Sequence, residues 1–236
     1  MITCNDVLAA IPDDHSAQVT PQDFFREIVH SEAKGKVVDL GCGNGRMADF
    51  FAAEYAQLEY VGLDISTSPE AQSRTRDDYI FTTYDGIHIP FESESIEIIF
   101  MNQVLEHVRQ PWLLFPEIER VLTRGGILVG SVSQLEPYHS FSLYNYTYYG
   151  ICDFCDQFGL RVFRLRPGID GMQIIARSFN KFILKRNYSW ENMYFAHESP
   201  WNYALETFLA GRRPREINRA KLHTAGQFCF AARKPD

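Results

Sequence analysis

The sequence lacks the features that mark membrane-spanning and secreted proteins. None of its apolar runs approaches the 18 or more residues that a membrane-spanning helix needs. The first 14 residues contain no basic stretch followed by an apolar run, so we expect no secretory signal. The five cysteines are odd in number and scattered, which is typical of a reduced compartment. We therefore expect a cytoplasmic protein with no transmembrane segment.

The sequence also lacks the paired cysteine motifs of a zinc site. Cys152 and Cys155 are three positions apart, but no second pair with that spacing completes a set of four ligands. Both cysteines fall in a predicted helix, and we interpret the pair as helix packing. No metal site is predicted from the sequence.

Basic residues are scarce in the first two thirds of the chain. Residues 1–159 contain 9 Lys and Arg against 24 Asp and Glu, whereas residues 160–236 contain 14 against 6. An acidic first part argues against general nucleic-acid binding, which requires a broad basic surface. The basic last part can meet an anionic acceptor or membrane surface, or can pair with the acidic part. The sequence leaves these alternatives open.

The most informative segment is Val37–Arg46, which predicts a buried strand, a glycine turn and the start of a helix. Its first residues, Val-Val-Asp-Leu, suit a strand covered on both faces. Glycines at 41, 43 and 45 allow positive φ angles and a close approach of the backbone to a ligand. The free N–H groups at the start of the following helix face the space over the turn.

Two cofactors compete for this turn, and a turn without a ligand is the third alternative. The dinucleotide pattern is G-x-G-x-x-G, whereas this chain has G-x-G-x-G with Asp39 two residues ahead of the first glycine. A carboxylate there repels a pyrophosphate and attracts a cation. S-adenosylmethionine carries a cationic amine and a sulfonium, so we interpret the turn as its binding site.

Two further segments strengthen this interpretation. Tyr60–Ser66 predicts a second strand that ends in Asp64, where a carboxylate can accept hydrogen bonds from ribose hydroxyls. The stretch Met101–Val108, with its Leu-Glu-His-Val ending, follows a predicted fourth strand. Together with the glycine turn, it resembles the class I S-adenosylmethionine-dependent methyltransferases, and specifically their type-11 domain branch.

The resemblance implies a fold and a layout along the chain. The fold is α/β and Rossmann-like: a seven-stranded, mostly parallel sheet with helices on both faces and an antiparallel last strand. One domain is expected, with cap helices in residues 1–36, a core in 37–170, a helical insert in 171–224 and a last strand with tail in 225–236. A helix over Ser68–Asp78 is also predicted from its polar composition.

The resemblance also implies the cofactor site. The expected cofactor-binding residues are Asp39, Gly41, Cys42, Gly43, Gly45, Asp64, Ile65, Asp85, Gly86, Asn102 and Gln103. Asp85 is expected to approach the adenine amino group, with a backbone N–H from its neighbour on the ring, although Asp-Gly is also a common turn former. The product of the reaction would be S-adenosylhomocysteine.

His107 is the first candidate for a catalytic residue. It lies four positions after Gln103, so on a helical turn the two side chains share one face. Because that turn follows the fourth strand, we expect it at the carboxyl edge of the sheet, where His107 can act as a general base. A structural histidine is the alternative, and His139 is a second candidate base.

Two aromatic regions point to the acceptor side. Residues 138–149 are rich in tyrosine, which suits a sugar or aromatic acceptor or packing at the sheet edge. In the insert, aromatic residues alternate with Lys and Arg, which suits a membrane surface, a phosphorylated acceptor or a helical cover.

The function expected from the sequence is methyl transfer from S-adenosylmethionine to a small-molecule acceptor. The acceptor atom we favour is an oxygen of a sugar, a glycolipid or another metabolite. The alternatives are a nicotinamide-dependent oxidoreductase and a non-catalytic S-adenosylmethionine-binding protein. The sequence does not name the acceptor or the oligomeric state.

Overall fold

β1 (Gly35–Leu40) is an inner strand of the sheet, and its last four residues are buried. Val38 and Leu40 pack into one hydrophobic cluster, and Val37 packs into the other. Such two-sided burial is characteristic of the inner strands of a parallel sheet. The computed structural model describes residues 2–180 and 199–236.

These residues form one seven-stranded sheet in the order β3-β2-β1-β4-β5-β7-β6. β1 to β5 run parallel in their pairings, whereas β7 is antiparallel to both β5 and β6. The predicted mostly parallel sheet with an antiparallel last strand is therefore confirmed. The remaining strands are β2 (Leu58–Ile65), β3 (Ile80–Tyr84), β4 (Ile96–Asn102), β5 (Leu122–Ser133), β6 (Arg161–Pro167) and β7 (Gln227–Arg233).

Helices cover both faces of the sheet, and several begin where the sequence has capping residues. The side chain of Thr20 accepts from the backbone of Asp23, and Pro21 occupies the first position of α2. Thr147 caps α6 in the same way. The helices are α1 (Cys4–Ala10), α2 (Pro21–Ile28), α3 (Met47–Glu54), α4 (Pro69–Gln72), α5 (Pro111–Val121), α6 (Tyr148–Gln157), α7 (Gly171–Ser178), α8 (Pro200–Phe208) and α9 (Pro214–Thr224), with a 3₁₀ turn at Leu105–His107.

Aromatic rings form the core between α2, α3 and the sheet. Phe25 of α2 makes edge contacts with Phe51 of α3 and with Phe100 of β4, at centroid distances of 5.1 and 5.7 Å. The opposite face is covered by α5 and α6, whose side chains include the buried pair Cys152 and Cys155. The predicted packing role of these two cysteines is therefore confirmed.

The N-terminal helices have different surroundings. α1 packs beside β6 and α6, at the side of the sheet. α2 lies against α3, and Gln22 in its first turn donates to the sulfur of Met47 at 3.4 Å, beside the start of α3. α2 therefore contacts the helix that follows the glycine turn along its length, from Gln22 in its first turn to Arg26, which pairs with Glu54.

Two local predictions were wrong. The segment Ser68–Asp78 is helical only at Pro69–Gln72, because the two arginines that follow reach across to the glycine turn instead of facing outward from a helix. Gln103 has φ of +55° and precedes the 3₁₀ turn, so it does not share a helix face with His107.

The insert contributes α7, α8 and α9 to the described structure. α9 packs against β6 and α8, and Lys221 donates to the carbonyl of Ser16 at 2.6 Å. Much of the basic-aromatic part of the insert, residues 181–198, lies outside the described residues. None of the helices in residues 2–180 and 199–236 combines the length and apolar character that a membrane crossing requires.

Part of the basic C-terminal region pairs with the acidic N-terminal region. Arg166 of β6 is fully buried, and its guanidinium contacts Asp14 and Glu27 at 2.5 and 2.9 Å. It also donates to the carbonyl of His15 at 2.6 Å. The N-terminal segment is thereby fixed near the carboxyl end of β6. Charge pairing, one of the alternatives left open by the sequence, occurs at this position.

Candidate functional site

The glycine turn after β1 has the backbone conformation that its sequence predicts. Gly41, Gly43 and Gly45 have φ angles of +77°, +54° and +81°. A Cβ atom on Gly41 would lie 2.4 Å from a methyl carbon of Val104, so no side chain fits there. Gly41 and Cys42 both donate to the carbonyl of Leu63, at 2.7 and 3.2 Å, which ties the turn to β2. The conformation of this turn is therefore fixed by the glycines, by the packing of Val104 and by the hydrogen bonds to β2.

Asp64, at the end of β2, bonds directly to this turn. One carboxylate oxygen accepts from the backbone nitrogen of Gly43 at 2.6 Å, and the other accepts from Ile65 at 2.7 Å. The side chain is buried. The residue predicted to bind the ribose therefore lies beside the glycine turn that is predicted to bind S-adenosylmethionine.

Asp39 lies on the buried side of the turn. The hydroxyl of Tyr60 donates to its carboxylate at 2.9 Å, and only 2% of the residue is exposed. Burial raises the pKa of Asp39 to about 7, and the nearby charge of Asp64 acts in the same direction. A buried carboxylate with such a pKa gains most from a positive charge placed close to it. Burial likewise raises the pKa of the Cys42 thiol to about 12, so this thiol stays neutral.

Asp85 follows β3 and forms a turn of its own. Its carboxylate accepts from the backbone nitrogens of Ile87 and His88 at 2.8 and 2.7 Å, and pairs with the His88 ring at 2.6 Å. The hydrogen bond from His88 lowers the pKa of Asp85 to about 2. Gly86 lies over Ile65, since a Cβ on this glycine would be 3.5 Å from an Ile65 methyl carbon. Asp85 and Asp64 thus end adjacent strands, but Asp85 makes no described contact with the glycine turn.

Two arginines that the sequence analysis missed hold the turn from the opposite side. Arg74 donates to the carbonyl of Gly43 at 3.1 Å and stacks over the ring of Phe81 at 4.2 Å. Arg76 donates to the carbonyl of Gly45 at 3.0 Å. No motif marks these residues, and the polar character of the segment suggested a solvent-facing helix. The only signal was an Arg-x-Arg spacing ahead of β3.

The residues at the end of β4 face β5. The Asn102 side chain accepts from the hydroxyl of Ser131 at 2.7 Å, and the side-chain amide of Gln103 lies 3.1 Å from the same hydroxyl. The two predicted cofactor residues are therefore brought together, but by Ser131 and not by the glycine turn. Val104, the next residue, is the one that covers Gly41.

A cluster of one acid and two histidines follows. We call Glu106, His107 and His139 the acid-histidine cluster, because each offers a ligand atom and these atoms lie within 4.8 Å of one another. Glu106 is fully buried, and one of its two carboxylate oxygens has no hydrogen-bond partner. The Nδ1 atom of His107 is also buried without a partner, and its ring meets that of His139 edge-on at 5.3 Å.

Burial shapes the charges of this cluster. It raises the pKa of Glu106 to about 7, whereas hydrogen bonds from Ser133 act in the opposite direction. It lowers the pKa of His107, and the charge of His139 adds to that effect. His107 is thus neutral at physiological pH and has a free ring nitrogen. These are the properties that a proton acceptor requires.

A second carboxylate, Glu136, extends the polar region. The Ser133 hydroxyl lies 3.0 Å from Glu106 and 2.7 Å from Glu136, so it bridges the two acids. Gln227 of β7 donates to Glu136 at 2.6 Å, and the guanidinium of Arg177 lies 3.7 Å away. The sequence analysis named none of these four flanking residues, since they come from β5, β7, α7 and the loop after β5, and only the fold brings them together.

The loop that carries His139 is fixed against the turn that carries Glu106 and His107. Leu143 and Tyr144 both donate to the carbonyl of Glu106, at 2.7 and 3.2 Å. The hydroxyl of Tyr146 donates to the carbonyl of Leu105 at 3.3 Å. Part of the aromatic stretch 138–149 therefore packs at the sheet edge, whereas Tyr138 and Phe141 are about 70% exposed.

Comparisons with known proteins agree with this geometry. Residues 38–130 match a family model described as a methyltransferase domain. An uncharacterized methyltransferase of Mycobacterium sp. strain JLS is 32% identical over 148 residues, which cover 58% of this chain and 55% of the relative. The chain spans about half the length of the curated relatives it matches most strongly.

Two further relatives carry more specific names. A malonyl-acyl-carrier-protein O-methyltransferase of Legionella pneumophila is 29% identical over 101 residues, covering 41% of this chain and 36% of that protein. A phosphoethanolamine N-methyltransferase of Haemonchus contortus, solved with S-adenosylmethionine, is similar with a TM-score of 0.59 and 17% identity. That similarity covers 92% of this chain and 52% of the solved chain. At this identity it shows the fold alone. The family match over residues 38–130 and the sheet order agree with the resemblance to the class I S-adenosylmethionine-dependent methyltransferases.

Proposed function

We propose that this chain binds S-adenosylmethionine at the glycine turn and transfers its methyl group to an oxygen of a small molecule. The observation that carries the proposal is the contact between the Asp64 carboxylate and the Gly43 backbone at 2.6 Å. It joins the open turn of β1 to the acid that ends β2. This junction supports a cofactor with a ribose and a charged amino-acid part.

The residues around the turn fit S-adenosylmethionine better than a dinucleotide. Asp39 and Asp64 add negative charge on both sides of the turn. Burial disfavours the charged form of Asp39, and a cation placed nearby would stabilise that form. A pyrophosphate would meet like charges there, whereas an amine or sulfonium is attracted. Asp64 would hold the ribose hydroxyls, and Asp85 with Gly86 would border the adenine. In this proposal, Asn102 and Gln103 border the methionine part, because Val104 next to them covers Gly41.

The acceptor side supports a polar acceptor. The described side chains beyond β4 and β5 include hydroxyls, amides, carboxylates and histidines, which bind hydroxyl-rich molecules by hydrogen bonds. The relatives include one protein named for methylating oxygen and one named for methylating nitrogen. We favour oxygen in a sugar, a glycolipid or another metabolite, because the acid-histidine cluster supplies the proton acceptor that a hydroxyl needs.

The reaction makes few chemical demands on the protein. Bound S-adenosylmethionine supplies an electrophilic methyl group. A bond forms between the acceptor oxygen and the methyl carbon, while the bond from carbon to sulfur breaks and leaves its electron pair on sulfur. The hydroxyl proton passes to the neutral ring of His107. Alignment of the two reactants supplies the largest share of the acceleration, up to roughly 7–11 kcal/mol.

The first experiment is a calorimetric titration of the purified protein with S-adenosylhomocysteine, with NAD and NADP as controls. Micromolar binding of S-adenosylhomocysteine alone is expected. Preference for a nicotinamide cofactor would overturn the proposal in favour of an oxidoreductase. Binding without methyl transfer to any hydroxyl compound in an acceptor screen would favour a non-catalytic binding protein.

The role of His107 is tested separately with His107→Gln, which keeps the size and polarity of the side chain but removes its basicity. We expect the maximal rate to fall about 10²–10⁴-fold, with unchanged affinity for S-adenosylhomocysteine. Because burial lowers the pKa of His107, the wild-type rate should stay high through neutral pH and fall only below the ordinary histidine pKa. A mutant rate equal to wild type would assign His107 a structural role.

A further inference from the structure

We propose that Glu106, His107 and His139 bind a divalent transition-metal ion of the zinc type beside the cofactor site. The cluster is one 3₁₀ turn away from the glycine turn, because His107 donates its backbone N–H to Val104, whose side chain covers Gly41. The inference rests on the proposed methyl transfer for its catalytic meaning, but metal binding by itself does not depend on it.

The candidate ligand atoms lie close to one another. One carboxylate oxygen and two ring nitrogens lie within 4.8 Å of one another. In a tetrahedral zinc site, bonds of about 2.0–2.1 Å place neighbouring ligand atoms roughly 3.4 Å apart. Modest rotation of the three side chains brings them to that separation. Two imidazoles and one carboxylate are also the three-ligand set that leaves a fourth position open.

Two of the three residues have buried polar atoms without a hydrogen-bond partner. The second carboxylate oxygen of Glu106 and the Nδ1 atom of His107 make no hydrogen bond, although both are shielded from solvent. Leaving a buried polar atom unpaired costs about 1–3 kcal/mol. Both atoms belong to adjacent residues and to the same cluster. A cation between them removes both costs at once.

Neighbouring polar groups orient the candidate ligands. A metal-binding histidine generally donates its other ring N–H to a carboxylate or carbonyl, which fixes its orientation. Nδ1 of His139 lies 3.3 Å from the carbonyl of Pro137 and 3.7 Å from the carboxylate of Glu136, leaving its Nε2 for the metal. The ring of His107 donates a hydrogen bond to the backbone of Phe141. Ser133 holds the other oxygen of Glu106 at 3.0 Å.

The local charge also favours a cation. Two buried carboxylates, Glu106 and Glu136, face one guanidinium, that of Arg177, at 3.7 Å from Glu136. When both acids are ionised, one negative charge is therefore in excess among these three groups. A second group in the described chain, Asp14, His15 and Glu27, has similar ligand types, but Arg164 and Arg166 already pair with its carboxylates. The charge requirement therefore distinguishes the acid-histidine cluster from that second group.

A cation at this position would activate the acceptor in the proposed reaction. A hydroxyl bound at the open position becomes a stronger acid, as water does on zinc. The bonds formed and broken are those of the metal-free reaction, but the hydroxyl proton is released to solvent and His107 serves as a ligand. The metal-free protein would retain the slower route in which His107 accepts the proton.

The test is direct metal binding by the whole chain after removal of metals with a chelator. Titration with Zn²⁺ by calorimetry and with Co²⁺ by visible absorption should give one ion per chain. Mg²⁺, which prefers oxygen ligands, should not compete. Glu106→Gln and His139→Ala should each weaken Zn²⁺ binding at least about tenfold. His30→Ala removes an exposed histidine outside the site and should leave binding unchanged.

Circular dichroism of each variant verifies that weaker binding does not reflect unfolding, and His107→Gln provides a third ligand variant. Equal Zn²⁺ affinity in the wild type and the His139→Ala variant would overturn the proposal. So would the absence of Co²⁺ absorption bands in the folded wild-type protein. Because neither measurement uses S-adenosylmethionine, Zn²⁺ binding without S-adenosylhomocysteine binding would support the metal site and overturn only the proposed methyl transfer.

Discussion

The carboxylate of Asp64 lies 2.6 Å from the backbone nitrogen of Gly43, although the two residues are 21 positions apart. Parallel pairing of β1 with β2 brings them together, because it places the ends of both strands at one edge of the sheet. This carboxylate therefore fixes the shape of the glycine turn, and in the proposed function it would also bind the ribose of the cofactor.

Replacing Asp64 should separate these two roles. Asp64→Ala should weaken S-adenosylhomocysteine binding by about 1–3 kcal/mol, because charge-assisted hydrogen bonds are lost. Asp64→Asn retains an oxygen that accepts from Gly43 but turns its amide nitrogen toward the N–H of Ile65, so it should lower the melting temperature less than Asp64→Ala does while its affinity also falls. Calorimetry and thermal unfolding measure the two effects. Wild-type affinity in both variants would remove the ribose assignment.

Asp39 should make stability depend on pH. Folding raises the pKa of Asp39 from 3.8 to about 7. The protonated side chain therefore contributes stability that is fully present below pH 4 and is lost as the pH rises through 7. Asp39→Asn removes the loss and still accepts from Tyr60. We expect the variant to be more stable than wild type at pH 8, on the order of 2–4 kcal/mol, and similar at pH 4.

The same variant should lose affinity for the cofactor, since the charge that attracts a cation is gone. Urea unfolding at the two pH values and titration with S-adenosylhomocysteine provide the measurements. A variant that gains stability at pH 8 and binds S-adenosylhomocysteine as tightly as wild type would assign Asp39 a purely structural role.

Gly41 should tolerate no side chain, for two separable reasons. Its positive φ costs an L-residue about 1–2 kcal/mol, and a Cβ would also collide with Val104 at 2.4 Å. Gly211 has a similar φ of +84° but has open space around it, so Gly211→Ala measures the φ cost alone. Gly41→Ala should therefore lower the free energy of unfolding more than Gly211→Ala does.

The additional loss of unfolding free energy in Gly41→Ala should shrink when Val104→Ala is added, because the smaller side chain at position 104 no longer collides with the new Cβ. Denaturant unfolding of the three variants gives the comparison, and S-adenosylhomocysteine titration shows whether the turn still binds. Equal destabilisation by Gly41→Ala and Gly211→Ala would contradict the packing of Val104 on the turn.

Arg74 should matter to the cofactor site although it lies in no motif. Lysine retains the charge but lacks the planar group that stacks on Phe81 while donating to Gly43, so Arg74→Lys should weaken S-adenosylhomocysteine binding by about 1 kcal/mol. Arg124→Lys is the matched control, because Arg124 is exposed and only pairs with Glu94 at 3.5 Å. Similar affinities in both variants would show that Arg74 does not support the turn.

Local signals in the sequence were sufficient for the glycine turn, and the resemblance that they carry implied the sheet. Hydrophobic strands that alternate with helical patterns are typical of a parallel sheet. Three glycines within five residues predict a turn with positive φ angles. The match of residues 38–130 to a methyltransferase domain covers nearly the same stretch that these patterns identified. Asp39, Asp64 and Asp85 were placed correctly at strand ends, because acids that follow hydrophobic strands mark the carboxyl edge.

The local patterns gave no access to contacts between distant segments. Arg74 and Arg76 looked like part of a polar helix, because their hydrogen bonds reach carbonyls 31 positions earlier in the chain. The helix face shared by Gln103 and His107 failed because Gln103 takes a positive φ before a 3₁₀ turn. Backbone geometry of this kind depends on what surrounds the residue and not on its spacing.

The sequence by itself therefore determined the glycine turn, and its resemblance to a methyltransferase domain implied the sheet, since both depend on patterns within a few residues. Only the tertiary structure decided which groups share one site. His139 meets Glu106 and His107 because a loop after β5 docks on the 3₁₀ turn, and Gln227 meets Glu136 because β7 pairs with β5. The charge state of such groups follows from their burial and neighbours, which only folding creates.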